Sequence, residues 1–186
     1  MVRIDRKTVL SVLNIGARLL VICLVVAALV SLVNEVTKTR YAEIQKEEQQ
    51  TAMAKIFGLT EVSCTDLGDE TDKIYGISQD GNFLGYCVQT TTAGFGGDLT
   101  MMVGFYSDCS IAGVQILSHS ETPGLGAKVN DEGYLSQYGG KSGELTLGED
   151  VDAISGATIS SRAVLAGVSA AQETLKMYII SGGDAV

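Results

Sequence analysis

Lys73-Ile74-Tyr75-Gly76-Ile77-Ser78-Gln79-Asp80-Gly81-Asn82-Phe83-Leu84-Gly85-Tyr86-Cys87-Val88-Gln89-Thr90-Thr91 reads as two strands around a tight turn. Both flanks carry β-branched and aromatic residues, and Asp-Gly supplies the positive φ that a two-residue hairpin turn needs. Two more apolar runs follow, Leu99–Phe105 and Ile111–Leu117, joined by Ser107-Asp108-Cys109-Ser110. Connections this short join antiparallel neighbours. Helical segments flank the run. Glu35–Ile56 is polar, with Val36, Ile44, Met53 and Ile56 as sparse apolar positions, and Gly58 ends it. Asp131–Tyr138 reads as a short helix. Ile159–Tyr178 reads as a longer one, with Val164, Leu165, Val168, Ala171, Leu175 and Met177 as its apolar positions. Antiparallel strands with helices at both ends predict an α+β domain.

Upstream of these elements, Arg18 is the only charged residue between Thr8 and Val33. About 20 apolar residues span a bilayer as a helix, so residues 8–33 are long enough to serve as a transmembrane signal anchor. A cleaved signal peptide is the competing reading. Its apolar core would be shorter and end in a small-x-small site, which Val30-Ser31-Leu32-Val33-Asn34 does not provide. Arg3, Arg6 and Lys7 precede the span, which favours a cytoplasmic N-terminus. The expected organisation is a cytoplasmic tail (1–7), the anchor (8–33), a helical linker (34–57) and an extracytoplasmic domain (58–186). The protein would cross the cell (inner) membrane once.

Residues 1–33 carry a net charge of +3 and the remainder −12, which add to the −9 of the whole chain. So acidic a body argues against nucleic acid as a partner. Of the four cysteines, Cys23 lies in the span, and Cys64, Cys87 and Cys109 show no CxxC spacing. A zinc or iron–sulfur site is therefore not expected. One disulfide among these three and three buried thiols both stay open.

Gly94-Phe95-Gly96-Gly97 lacks the endings of a P-loop or a dinucleotide fingerprint and reads first as a tight turn. His119, the only histidine, reads as structural. In Glu121-Thr122-Pro123-Gly124-Leu125-Gly126, proline fixes φ and the glycines permit close backbone approach, so the loop can lie against a flat ligand with Leu125 as an apolar face. Asp152-Ala153-Ile154-Ser155-Gly156-Ala157-Thr158 places a hydroxyl at a helix start, where free N–H groups and the helix dipole favour phosphate. The plainer alternative is that Ser155 or Thr158 caps the last helix.

Taken in order, the anchor, the glycine loop, His119-x-Glu121-Thr122-Pro123-Gly124-Leu125-Gly126 and Asp152-x-x-Ser155-Gly156-Ala157-Thr158 resemble the FMN-binding G subunit of the Rnf electron-transport complex. The C subunit of the sodium-pumping NADH:quinone reductase is a related form. The resemblance implies FMN bonded to Thr158 as a phosphothreonyl ester. A flavin transferase would install it from FAD by reading Asp152, Ser155, Gly156, Ala157 and Thr158. It also implies that Glu121, Thr122, Leu125 and Gly126 lie against the isoalloxazine ring and that Lys141, in Gly140-Lys141, faces the phosphate. Phe95 stands where the family more often has tyrosine. The ring is kept and the hydroxyl is lost.

The activity implied is that of an electron-carrier subunit, without catalytic residues or metal of its own. It would serve a membrane complex that couples electron transfer between ferredoxin and NAD to Na⁺ or H⁺ translocation. Its partners would be the other membrane subunits, the flavin transferase and the lipid bilayer. Three alternatives remain at this level: a non-flavinylated docking subunit, the quinone-reductase C-type subunit, and a stand-alone flavin reductase. For the last, this chain has no room for a further catalytic domain.

Overall fold

The computed structural model describes residues 6–68 and 73–182; residues 1–5 of the expected tail lie outside it. The chain divides into two compact units, residues 1–46 and 47–186.

The first unit is helix, the greater part of α1 (Arg6–Ile56). Ile15–Asn34 is long and apolar enough to cross a membrane, with a mean hydropathy of 2.6 and none of its window buried in protein. Leu19, Val25, Leu29 and Val33 are all more than half exposed. Water would penalise that surface heavily, and the acyl region of a bilayer would not.

The second unit is built on five strands: β1 (Ser63–Asp66), β2 (Lys73–Gln79), β3 (Asn82–Ala93), β4 (Asp98–Tyr106) and β5 (Ile111–His119). They form one antiparallel meander in sequence order, which bears out the α+β expectation. The β2–β3 turn is the predicted Asp-Gly hairpin, with φ of 51° at Asp80 and 80° at Gly81, the twist-matched two-residue form. β1 was not expected. It has four residues and an almost wholly exposed side-chain pattern, so it carries little periodic signal.

Alternation along the strands divides the core in two. Leu99, Met101, Val103 and Phe105 of β4, with Tyr86 and Val88 of β3, face α3 (Thr158–Ile180) through its Val164, Val168, Ala171 and Leu175. Thr90 and Thr92 of β3 add hydroxyl hydrogen bonds to the carbonyls of Gly167 and Ala163, at 3.2 and 3.0 Å. Met177 was expected on this apolar face but is 67% exposed. Two residues beyond Leu175 is a rotation of about 200°, which points it away from the sheet.

The opposite face of the sheet packs Cys87, Ile77 and Met102 against Met53, with Ile56 beside them. The last turns of α1 are therefore a structural part of the domain, and Ala52, Met53 and Ala54 are buried. Gln49 bonds Gln89 at 3.0 Å, and Lys55 pairs with Glu132 of the short helix α2 (Glu132–Leu135) at 2.7 Å. Gly58 ends α1 with a φ of +68°. Its N–H donates to Lys55 and that of Leu59 to Ala54, the two bonds of a Schellman stop.

All four cysteines are free. Cys64 and Cys87 sit on strands separated by β2. Two inter-strand steps of about 4.8 Å exceed the reach of a disulfide, about 7 Å between Cα atoms. Cys109 packs against the other core. The strand spacing rules out a Cys64–Cys87 bridge, and three buried thiols are not found either: Cys87 is buried, while Cys64 and Cys109 are partly exposed.

Candidate functional site

Three loops meet at one end of the sheet. The β3–β4 turn closes through Gly94 N–H to Gly97 O at 2.8 Å, so the glycine loop is a tight turn, as read. Glycine is needed there because a Cβ on Gly96 would collide with the Ser120 carbonyl oxygen and one on Gly94 with the Glu121 carboxyl group. The same turn holds Phe95 outward, 65% exposed.

The second loop follows β5. Nδ1 of His119 accepts the Glu121 N–H at 3.3 Å, a structural histidine shaping the turn. Glu121 folds inward and is 5% exposed. Its Oε1 accepts the Phe95 N–H at 2.8 Å, while Oε2 is buried with no hydrogen-bond partner. A buried polar atom without a partner is costly and points to a function. Beyond Thr122, Leu125 is 45% exposed and the chain enters a 3₁₀ turn, Gly126–Asn130.

The third loop leads into α3. Ala157 N–H donates to Ile154 O at 2.9 Å, and Gly156 has a φ of +81°, the turn geometry that calls for glycine at its third position. The first helical bond runs from Ser161 N–H to Ala157 O at 3.0 Å. The amide hydrogens of Thr158, Ile159 and Ser160 therefore have no backbone acceptor, the ordinary condition of a helix start. The capping alternative fails. The N-cap is Ala157, no side chain caps the helix, and Ser155 and Thr158 are not buried in it.

Between these loops lies a pocket of about 320 Å³. Phe95 contributes from the first loop, Glu121, Thr122, Leu125 and Gly126 from the second, and Gly156, Ala157, Thr158, Ile159 and Ser160 from the third. Its size suits a small molecule, and its lining combines the aromatic Phe95 and the apolar Leu125 and Ile159 with the first residues of α3. Three of the lining residues, Phe95, Ile159 and Ser160, were not legible as site residues. Phe95 sat in a motif that a turn explained sufficiently, and Ile159 and Ser160 counted as helix residues.

Not every expected residue lines this pocket. Ser155 lies on the turn beside it. Asp152 is exposed, with its backbone held by Gln137 through N–H to Oε1 at 2.7 Å. Lys141 lies elsewhere: its carbonyl accepts the N–H of Ile111, the first residue of β5, whereas Glu121 follows the last. At about 3.3 Å per residue that is roughly 25 Å of strand, so the backbone of Lys141 is anchored at the far end of β5.

Residues 94–173 match the FMN-binding domain family, and these include all three pocket loops. The G subunit of the ion-translocating oxidoreductase complex of Methanosarcina acetivorans is 36% identical over 160 residues, covering 79% of this chain and 85% of that protein. The G subunit of the Na(+)-translocating ferredoxin:NAD(+) oxidoreductase complex of Acetobacterium woodii is 29% identical over 194 residues, covering 90% and 92%. Among solved structures, the C subunit of the Na(+)-translocating NADH-quinone reductase of Parabacteroides distasonis has the same fold. Its TM-score is 0.55 at 21% identity, over 75% of this chain and 94% of that one.

Proposed function

The chain belongs to the G-subunit family of ion-translocating oxidoreductase complexes, and on that footing we propose that it is a membrane-anchored electron carrier holding FMN as a phosphoester of Thr158. One observation carries this reading: Phe95, Glu121, Leu125 and Thr158, distant in sequence, line one pocket with Thr158 uninvolved in capping.

The residues fit FMN. Phe95, Leu125 and Ile159 offer apolar and aromatic surface to a flat ring. The unpaired amides at the start of α3 offer donors and a positive dipole end to a phosphate. The unpartnered Oε2 of Glu121 is an acceptor in a wall of the same pocket. FMN supplies the one- and two-electron chemistry, and the protein's contribution is to hold and orient it. No general base is needed in turnover. During maturation the Thr158 hydroxyl would be the group that receives the flavin phosphate, FAD giving up AMP as the leaving group and a base of the flavin transferase taking the hydroxyl proton. The stretch Asp152–Thr158 is the segment that enzyme would read.

The relatives' roles suggest the setting: one subunit among several in a membrane complex that moves electrons between ferredoxin and NAD and translocates Na⁺ or H⁺. The basic residues before the span favour an N-terminus in the cytoplasm and a domain outside it.

Co-expression with a flavin transferase tests the reading. The expected result is a fluorescent band that survives denaturing electrophoresis, and an intact mass raised by one FMN less one water. An unmodified mass would instead favour a docking subunit without flavin.

A further inference from the structure

Beyond its own backbone bonds, the turn that presents Thr158 is held by one buried hydroxyl. Ser161 is 0% exposed. Its Oγ accepts the Ile154 N–H at 3.0 Å and donates to the Ala157 carbonyl at 3.1 Å. Ile154 and Ala157 are the two ends of the turn that carries Ser155 and Gly156, and Thr158 follows directly. One oxygen atom therefore ties both ends of the turn to the first turn of α3.

The usual device for this task is missing. The N-cap is Ala157, in a non-standard conformation (φ −128°, ψ 38°) with no side-chain cap. At most helix starts, a cap side chain outside the helix fixes the entry angle of the chain. Here the clasp comes from inside the helix, four residues after the cap, by the back-bonding that a serine hydroxyl can make to the i−4 carbonyl. The consequence for Thr158 is directional. The Ser161 N–H still holds the Ala157 end without the hydroxyl, but the Ile154 end loses its tie to α3, and the turn that sets the approach to Thr158 Oγ is free to shift.

We infer that Ser161 is a positioning residue for flavin attachment, setting the angle at which the Thr158 hydroxyl meets the FAD phosphate in the flavin transferase. The inference rests on Thr158 being the attachment residue. In-line attack at phosphorus is sensitive to alignment, and a misplacement of about 1 Å can cost a factor of about 100. Because Asp152–Thr158 is unchanged in a Ser161 variant, recognition by the transferase is preserved. The loss falls on kcat and leaves the KM for the acceptor protein in place.

The test uses the full-length protein in detergent with purified flavin transferase and FAD. In Ser161→Ala the kcat of flavin transfer is expected to fall about 10- to 100-fold with KM within a factor of about two. The Ile154 amide is expected to exchange its hydrogen faster, in protein that has not yet received flavin. Ser161→Thr, which restores a hydroxyl, recovers most of the rate. Val168→Ala, in the core further along α3, is destabilised without touching the turn and transfers at the wild-type rate. If Ser161→Ala does not fold, Ser161→Cys, close in size and poor in hydrogen bonding, makes the same comparison.

Wild-type transfer with an equal rate in Ser161→Ala overturns the positioning role alone. So does an unchanged Ile154 exchange rate, or a loss in Val168→Ala as large as in Ser161→Ala. A wild-type protein that accepts no flavin overturns the attachment reading, and this inference with it.

Discussion

Oε1 of Glu121 accepts the Phe95 amide hydrogen at 2.8 Å and so joins the β3–β4 turn to the loop after β5. The bond fixes one wall of the pocket against another. Glu121→Ala leaves the Phe95 N–H without that acceptor and opens space between Gly94 and Gly126. A loss of about 1–3 kcal/mol is expected, read as a lower urea midpoint. Glu121→Gln keeps an oxygen at Oε1 and stays within about 1 kcal/mol of the wild type.

Glu121 is caged by glycines, and each is a test of the cage. A Cβ at Gly126 would lie 2.5 Å from Glu121 Oε2 and 2.9 Å from Ser160 Oγ. At Gly96 it would meet the backbone carbonyl of Ser120, which cannot swing aside. Both alanine variants should lose about 1–3 kcal/mol to overpacking, Gly96→Ala the more, and both should load less flavin. Gly133→Ala enters open space within α2 and is the control, expected to be neutral or stabilising by up to about 1 kcal/mol.

Thr158 caps nothing, so its hydroxyl is dispensable to the fold. Thr158→Ala should move the unfolding free energy by no more than about 0.5 kcal/mol while abolishing the denaturation-resistant flavin band. Thr158→Ser, which keeps a hydroxyl, should retain some of it. Full fluorescence in Thr158→Ala would place the attachment at another residue.

Alkaline pH should destabilise the domain through Cys87. Burial pushes this thiol well above its ordinary pKa of 9.0, with the neighbouring Cys64 adding to the rise. The folded state therefore keeps it neutral while the unfolded chain ionises. Its contribution is whole below pH 9.0 and is lost as pH rises beyond that value, by at most about 1.4 kcal/mol per pH unit for each group. Tyr138, raised above 10.0 chiefly by burial, adds to the loss from a higher pH. Urea midpoints at about pH 8 and about pH 10.5 measure the effect, and Cys87→Val should flatten the portion that begins near the ordinary thiol pKa.

The short exposed β1 apart, the antiparallel run of β2 to β5, the Asp80-Gly81 hairpin, the membrane-length helix and the start of α3 to within one residue were legible in the sequence. Each depends on local properties: a period of two or of 3.6, a turn that needs positive φ, a run of apolar residues. The motifs around Glu121 and Thr158 were legible through family resemblance. Tertiary structure alone decided how they combine. It turned Phe95, hidden in a motif that a turn explained, into a pocket wall, and it gave the capping position to Ala157. It also set Lys141 at the far end of β5 and kept Cys64 and Cys87 apart across β2. Pairing and packing between distant segments set these outcomes. A sequence read locally shows which residues can approach a ligand, and only the meander of strands and the helix across it determine which of them meet.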